Sequence, residues 1–242
     1  MPGGQHGRIS VCAVCISTEM AQSNPTREAE KLYTARLNTY RAFISFFRSR
    51  NGIRALLERS EFFRPRLRVL DAGAGFGTAT FALLDALRQR RIEPQVIDAF
   101  DLTPAMLEQF QAELDARGIT LVRLKQANVL ALGQFPPSWS DYDLIVCTSM
   151  LEYLAKGDLS QALSSLRERL VQNGTFLAVV TRRNWITKIL IERWWHAARY
   201  TRQELREAFA AAGFHDIVFI RFPLRYFWLN TSNHVVVARR VE

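Results

Sequence analysis

Cysteine is scarce in this sequence, and its scarcity excludes one class of protein. Only three of the 242 residues are cysteines: Cys12, Cys15 and Cys147. Three poorly spaced cysteines are too few for a disulfide framework, so a reducing, cytoplasmic environment is expected. Cys12 and Cys15 form a Cys-x-x-Cys pair without a second pair of ligands, and no metal site is predicted there.

Long apolar runs, internal repeats and low-complexity segments are also missing. No run approaches the roughly 20 apolar residues that cross a bilayer, so no integral membrane segment is predicted. The hydrophobic fraction of 48% and the length suit one globular domain, or one domain with an elaboration. Residues 1–24 contain a short apolar stretch without an Ala-x-Ala cleavage pattern, and we expect a disordered leader, with Met20 as an alternative start.

Lysine is the third shortage, because only four of the 32 basic residues are lysines and the other 28 are arginines. The net charge of +9 is unevenly distributed: residues 1–66 carry +6, residues 67–181 carry −3 and residues 182–242 carry +6. A basic protein can bind nucleic acid, anionic lipid or acidic small molecules. The alternative is that the arginines reflect genome composition and serve only solubility.

Helical and strand patterns alternate along most of the chain. Residues 25–66 predict an N-terminal helical cap, with one helix interrupted at Gly52 and a second over residues 53–63. A strand follows at residues 67–71, and alternation continues through a helix at residues 159–171 and a strand at residues 175–181. Such alternation predicts a doubly wound α/β domain whose parallel sheet is covered on both faces.

The pattern changes after residue 181. We expect a helical insertion at about residues 183–200, a helix at residues 201–212, and two β-rich runs at residues 215–222 and 234–240. The connection between the two runs is too short for a crossover helix of a dozen or so residues. The runs should therefore pair antiparallel at one edge of the sheet.

A glycine-rich turn follows the first strand, in Asp71-Ala72-Gly73-Ala74-Gly75-Phe76-Gly77-Thr78. Ligands of a doubly wound sheet bind at the carboxyl ends of its strands, where glycines permit close approach. A dinucleotide fingerprint beginning at Gly73 requires a third glycine at position 78, which is Thr78. A nicotinamide oxidoreductase is therefore the weakest interpretation, and the sequence also lacks a Tyr-x-x-x-Lys pair.

The pattern Asp71-x-Gly73-x-Gly75-x-Gly77 resembles the first motif of the class I S-adenosylmethionine (SAM) dependent methyltransferases, and the resemblance covers about residues 67–240. It implies SAM as the cofactor and a Rossmann-like sheet of seven strands, mostly parallel with an antiparallel edge hairpin. It also implies that the glycines hold the amino acid part of SAM. Asp71 has an alternative role as a structural acceptor.

The resemblance implies further cofactor-binding residues. Asp101 ends the second strand and would bind the ribose hydroxyls, while Leu102 and Met106 would contact the adenine. Asn128 and Val129 stand where many members carry an adenine-binding Asp, so Asn128 is a departure and could equally be a turn residue. Thr148, at the end of the fourth strand, is the last of the cofactor-binding residues that the resemblance implies.

Glu152 and Tyr153 occupy positions where many members carry histidine, and both are candidate catalytic residues. The same segment lacks the Asn-Pro-Pro-Tyr type sequence of amino-methyltransferases, which disfavours methylation of DNA bases or protein amides. His196, in the tryptophan-rich insertion, is a third candidate for a base. The insertion itself could be a helix packed on the sheet or a lid over an apolar acceptor, and the second option would permit peripheral membrane contact.

These observations favour a SAM-dependent methyltransferase acting on a small molecule, with an aromatic, lipophilic or anionic acceptor among the options. The acceptor atom, whether oxygen, nitrogen or carbon, and the oligomeric state stay open. An RNA-modifying methyltransferase is an alternative because both ends of the chain are basic. A non-catalytic SAM-binding protein is a third, because the Glu152-Tyr153 segment departs from the family pattern.

Overall fold

Seven strands form one sheet in the order β3-β2-β1-β4-β5-β7-β6. Strand β7 lies antiparallel between β5 and β6, while strands β1 to β5 are mutually parallel, so the predicted mixed sheet with an antiparallel edge is confirmed. The strands are β1 (Arg68–Ala72), β2 (Val96–Asp101), β3 (Val122–Gln126), β4 (Tyr142–Thr148), β5 (Leu170–Thr181), β6 (His215–Ile220) and β7 (Asn233–Arg239).

The computed structural model describes residues 49–182 and 200–241. The predicted leader, the first cap helix and nearly all of the insertion, His196 included, lie outside the described residues. The described helices are α1 (Ser49–Leu57), α2 (Thr78–Gln89), α3 (Pro104–Ala116), α4 (Leu159–Arg167), α5 (Arg202–Ala211) and α6 (Leu229–Ser232). None of them is long and apolar enough to span a membrane.

Each face of the sheet has its own hydrophobic core, because neighbouring residues of a strand point to opposite faces. Leu70 belongs to the core that α4 and α5 cover, while Val69 belongs to the core that α1, α2 and α3 cover. Apolar side chains on both faces explain why the central strands are continuous apolar runs in the sequence. The site therefore has a rigid support on both sides.

The expected break at Gly52 is wrong. Helix α1 runs through this glycine, which is buried. A Cβ atom at Gly52 would collide with the side chain of Leu229 in α6, so the glycine is needed for close packing and does not end the helix. The helix expected at residues 53–63 ends instead at Leu57, whose carbonyl accepts a hydrogen bond of 2.6 Å from the hydroxyl of Ser60.

The boundary expected between the fourth helix and the fifth strand is also wrong. Helix α4 ends at Arg167, and β5 begins at Leu170 rather than at Thr175. Leu170 pairs with Tyr142 of β4, with an irregularity before the regular pairing resumes at Thr175. Asn173, which has a left-handed φ of 61°, accommodates that irregularity.

The carboxyl-terminal helix and hairpin form as expected. Thr201 caps α5 through a reciprocal capping box with Glu204: the Thr201 Oγ1 accepts from the Glu204 amide at 3.2 Å, and the Glu204 Oε2 accepts from the Thr201 amide at 2.8 Å. Between β6 and β7 the chain makes only a short turn, Leu224–Tyr226, and the single-turn helix α6. This connection returns the chain to the same sheet edge.

Candidate functional site

The glycine-rich turn leaves the carboxyl end of β1 and enters α2. Gly73, Gly75 and Gly77 have left-handed φ values of 72°, 53° and 79°, a conformation that residues with a Cβ rarely adopt. The amides of Gly73 and Ala74 donate to the carbonyl of Phe100 in β2, each at 2.9 Å. These bonds fix the turn against the end of the neighbouring strand.

The three glycines differ in their surroundings. A Cβ at Gly73 would overlap the side chain of Met150, and a Cβ at Gly77 would overlap the ring of Phe110. A Cβ at Gly75 would meet only the sulfur of Met106, at 3.6 Å. Gly73 and Gly77 are therefore required by protein packing, while a Cβ at the half-buried Gly75 would make only an ordinary van der Waals contact.

Asp101 connects this turn to the end of β2. Its Oδ2 accepts from the amide of Gly75 at 2.8 Å, and its Oδ1 accepts from the amide of Thr103 at 2.9 Å. Burial raises the pKa of Asp101, and its hydrogen bonds from Thr103 and Gly75 act in the opposite direction. Each carboxylate oxygen retains a lone pair beyond these bonds, so the group can still accept from a bound diol.

The other residues predicted to bind the cofactor lie at or just after the ends of β2, β3 and β4, or on the first turn of α3. Met106 is buried on the first turn of α3, and Leu102 is half-buried. The Asn128 Oδ1 accepts from the amide of Leu130 at 3.0 Å and caps the 3-10 helix that begins at the buried Val129. Asn128 thus acts as a turn residue in the described structure. Thr148 is half-buried at the end of β4.

Asp71 lies beneath the turn, fully buried. Its Oδ2 accepts from the hydroxyl of Thr80 in α2 at 2.6 Å, while its Oδ1 has no partner among the described residues. Burial raises the pKa of Asp71 to about 7, and the negative charge of Asp101 acts in the same direction. Asp71 therefore joins β1 to α2 and leaves one buried oxygen unsatisfied.

Glu152 is the second buried carboxyl at this edge of the sheet. It lies in the short turn Leu151–Tyr153 after β4, is only 2% exposed, and accepts from the hydroxyl of Thr181 at the end of β5 at 2.8 Å. Its Oε2 has no partner in the described part of the chain. Burial raises the pKa of Glu152 to about 7. Tyr153 follows in the same turn and is half-buried.

Thr181 and Tyr200 are two site residues that the sequence analysis missed. Tyr200 forms a bridge to Arg182, is 2% exposed, and its hydroxyl has no partner among the described residues. Burial, and next the charge of Glu152, raise the pKa of Tyr200 to about 12. A polar residue at the carboxyl end of a predicted strand was the available signal for Thr181. Tyr200 had none, since its position depends on how the chain returns to the sheet.

The structure thus brings two groups of predicted residues to one edge of the sheet. The ends of β1 and β2 carry Asp71, the glycines, Asp101 and Met106, and the ends of β4 and β5 carry Glu152 with Thr181. Both groups lie near Cys147 of β4, whose thiol pKa is raised by burial and by the charges of Glu152 and Asp71.

Comparison with known proteins gives one family match. Residues 70–176, from β1 into β5, match the model of the family described as "Methyltransferase domain". No curated protein matches the chain.

Solved structures show the same fold at low sequence identity. Magnesium protoporphyrin IX methyltransferase from Synechocystis, with bound S-adenosylhomocysteine, is 14% identical with a TM-score of 0.67, over 90% of this chain and 100% of that one. The S-adenosylmethionine-dependent methyltransferase SibL in its apo form is 18% identical with a TM-score of 0.64, over 84% of this chain and 58% of that one. The YcgJ protein from Bacillus subtilis is 18% identical with a TM-score of 0.59, over 79% and 99%.

The matched residues include the glycine turn, Asp101 and the Glu152 segment. Residues 70–176 are therefore similar to a methyltransferase domain, and the described chain has the fold of these solved structures.

Proposed function

We propose that this protein transfers a methyl group from SAM to a small-molecule acceptor. The observation that carries the proposal is the position of Asp101, whose carboxylate accepts from the amide of Gly75, the one glycine of the turn at which a Cβ would not overlap a neighbouring side chain. A carboxylate beside such a turn suits a ligand with a vicinal diol, as in a nucleoside. The proposal is further supported by the structures of magnesium protoporphyrin IX methyltransferase, which has a similar fold and was solved with S-adenosylhomocysteine or SAM bound.

The residues of this edge fit the parts of SAM. Asp101 would accept from both ribose hydroxyls, and Leu102 and Met106 would contact the adenine. The amides of Gly73, Gly75 and Gly77 already donate within the protein, so these glycines would offer carbonyl oxygens and close approach to the ammonium group. Asn128 stays a candidate for the adenine amino group, although its side-chain oxygen caps the following turn.

Bound SAM would supply an electrophilic methyl group on a sulfonium. The protein then has to hold the acceptor atom in line with that methyl group in a dry pocket. On the acceptor side we assign Glu152, whose unpartnered oxygen and raised pKa suit a proton acceptor near neutral pH. Tyr153 and His196 complete the acceptor-side candidates, with His196 outside the described residues. The N-terminal cap, residues 25–66, and the insertion at 183–200 are further candidates for the acceptor side, and residues 25–48 and 183–199 lie outside the described residues.

Calorimetry with SAM tests the cofactor assignment. We expect Asp101→Asn to weaken SAM binding about tenfold or more, because an amide presents one acceptor oxygen where the carboxylate presents two. Asp115→Asn is the matched control, since Asp115 is exposed on α3 and its loss should leave the affinity unchanged. Equal affinities of the wild type and Asp101→Asn would overturn the ribose assignment, and absence of SAM binding by the wild type would overturn the proposed function.

Incubation with labelled SAM and a metabolite extract tests the transfer itself. We expect a labelled small-molecule product together with S-adenosylhomocysteine. Binding of SAM without any labelled product would instead favour a non-catalytic SAM-binding protein.

A further inference from the structure

A concave surface lies at the same edge of the sheet as the Glu152 group, on the side of β6 and β7. It is a cleft of about 400 Å³ between the end of β5, the end of β6 and the start of β7. Its lining residues are Arg182, Arg202, Phe219, Ile220, Arg221, Asn230, Thr231, Asn233, His234 and Val235. Because β7 runs antiparallel to β5 and β6, its first residues lie beside the carboxyl ends of both strands, and together they form the wall of the cleft.

The cleft is strongly cationic. Three arginines line it, Arg182, Arg202 and Arg221, and none of its described lining residues is a carboxylate. Arg202 and Arg221 form no ion pair with any carboxylate in residues 49–182 and 200–241. Their positive charges are therefore uncompensated by the described part of the protein.

Two of the three arginines, Arg182 and Arg202, contact neighbouring groups. The guanidinium of Arg202 stacks on the ring of Phe219, 5.2 Å from its centroid, and the Nη1 of Arg182 donates to the carbonyl of Asn230 at 2.5 Å. Their field acts on His234, which is 6% exposed: burial, and next the charges of Arg182 and Arg202, lower its pKa to about 4. His234 is therefore neutral at physiological pH and adds no charge of its own.

The position of the cleft connects it to the proposed acceptor side. Thr181, which donates to Glu152, immediately precedes Arg182, and Thr181 pairs with Asn233 of β7. The cleft and the Glu152 group therefore both lie at the carboxyl end of β5. The lining also includes Phe219, Ile220 and Val235, which provide apolar contact next to the charges.

We infer that this cleft binds an anionic group of the methyl acceptor, a carboxylate or a phosphate attached to an apolar or aromatic body. Guanidinium groups recognise both anions through charge-assisted, bidentate hydrogen bonds. That the bound anion belongs to the methyl acceptor rests on the proposed function. The anion site itself depends only on the cleft and its arginines.

Calorimetric titration with four probes tests the anion site without SAM. The probes are phenyl phosphate, benzoate, the neutral benzamide and inorganic phosphate, applied to the wild type and to Arg202→Gln and Arg221→Gln. We expect the wild type to bind phenyl phosphate or benzoate and to bind benzamide at least tenfold more weakly. Each arginine substitution should weaken binding of the anionic probe about tenfold, because one charged donor pair is lost. The stronger of the two aryl anions identifies the anionic group, and inorganic phosphate shows how much the apolar body contributes.

Two controls keep the test specific. Arg88→Gln removes the same charge from an exposed position on α2 and should leave binding unchanged. Asp101→Asn should also leave it unchanged, so that failure of the SAM assignment and failure of the anion site give different results. Equal weakening by Arg88→Gln, or equal affinities for benzoate and benzamide with no binding of phenyl phosphate, would overturn the inference.

Discussion

At the scale of single residues, the site is built around two carboxyl groups that are buried with incomplete hydrogen bonding. Asp71 and Glu152 each accept one hydroxyl hydrogen bond, from Thr80 and Thr181, and each has one oxygen without a partner in the described structure. Burial disfavours the charged form and raises the pKa of each group to about 7. Both residues therefore reduce stability at neutral pH, as expected of residues retained for a functional role.

Replacement of Glu152 by glutamine should remove this cost. In the unfolded chain the pKa of Glu152 is near its ordinary value of 4.5, and in the folded protein burial raises it to about 7. Between these values the folded protein retains a proton that the unfolded chain releases, so the wild type loses up to about 1.4 kcal/mol of stability per pH unit. The stability of Glu152→Gln relative to the wild type should therefore rise from pH 4.5 to 7 and level off above.

Urea unfolding of both proteins across this pH range measures the difference. Glutamine can still accept from Thr181, so the hydrogen bond is preserved as far as possible. Glu108→Gln, at an exposed position on α3, is the matched control substitution. A constant difference for Glu152→Gln would contradict the raised pKa.

At the scale of elements, the glycine turn divides its tasks among three positions. Gly73 makes room for Met150 after β4, and Gly77 makes room for Phe110 of α3. Gly75 is under no such steric constraint, and its amide donates to Asp101. A structural glycine and a ligand-facing glycine thus lie two residues apart.

Alanine substitutions separate the two tasks. Gly77→Ala should lower the free energy of unfolding by about 3 kcal/mol or more, because it combines a left-handed residue with overpacking against Phe110. Gly75→Ala should cost only about 1–2 kcal/mol but should weaken SAM binding about tenfold or more, because the new methyl group occupies the surface that we propose faces SAM. Urea unfolding and calorimetry measure the two effects.

Gly157→Ala is a suitable reference, since no atom lies within 4 Å of a Cβ built there. Its effect on stability should stay within about 0.5 kcal/mol. If Gly75→Ala lost more stability than Gly77→Ala, the division of tasks would be wrong.

The parallel sheet and its antiparallel edge pair were predictable from the sequence, because apolar alternation and the short connection before β7 leave few topologies. The two errors, at Gly52 and at the end of α4, have a common physical origin. The close packing of Leu229 accounts for a glycine at position 52 inside α1, and Leu170 belongs to β5 because it pairs with Tyr142. Both are contacts between residues far apart in the chain, which local pattern does not contain.

The same reason limits how much of the site could be predicted. The glycine turn and Asp101 are local motifs and are recognisable in the sequence. The contact of Thr181 with Glu152, the burial of Tyr200 and the cationic cleft each join residues from different strands. They become visible only when the sheet edge is assembled.

At the scale of the whole molecule, many of the described arginines bind backbone carbonyls. Arg240 Nη1 donates to the carbonyls of Glu168 and Leu170 near the end of α4, and Arg169 Nη2 donates to the carbonyl of Leu132 at 2.6 Å. Arg68 donates to the carbonyls of Ser138, at 2.7 Å, and Ser140. These arginines keep their positive charge, and their hydrogen bonds also hold loops and helix ends to the sheet.

We expect RNA binding to be weak, because residues 67–181, which contain the glycine turn and Asp101, carry a net charge of −3. At physiological salt we expect a dissociation constant of about 10 µM or weaker for a short single-stranded RNA, as for nonspecific association. Fluorescence anisotropy with a labelled RNA, repeated over a series of salt concentrations, measures the affinity and its salt dependence. Submicromolar binding with a steep salt dependence would instead favour an RNA-modifying enzyme.

Strand β7 inserts between β5 and β6, although it follows β6 in the chain, and this order has a consequence for biosynthesis. A growing chain can pair β1 to β4 as soon as these strands leave the ribosome, whereas β6 has no neighbour in the sheet until β7 has been made. The cofactor-binding half can thus form before the cationic cleft. A chain stalled before β7 would present β5 as an open apolar edge, a template for aggregation, so completion of β7 both finishes the acceptor side and protects the nascent protein.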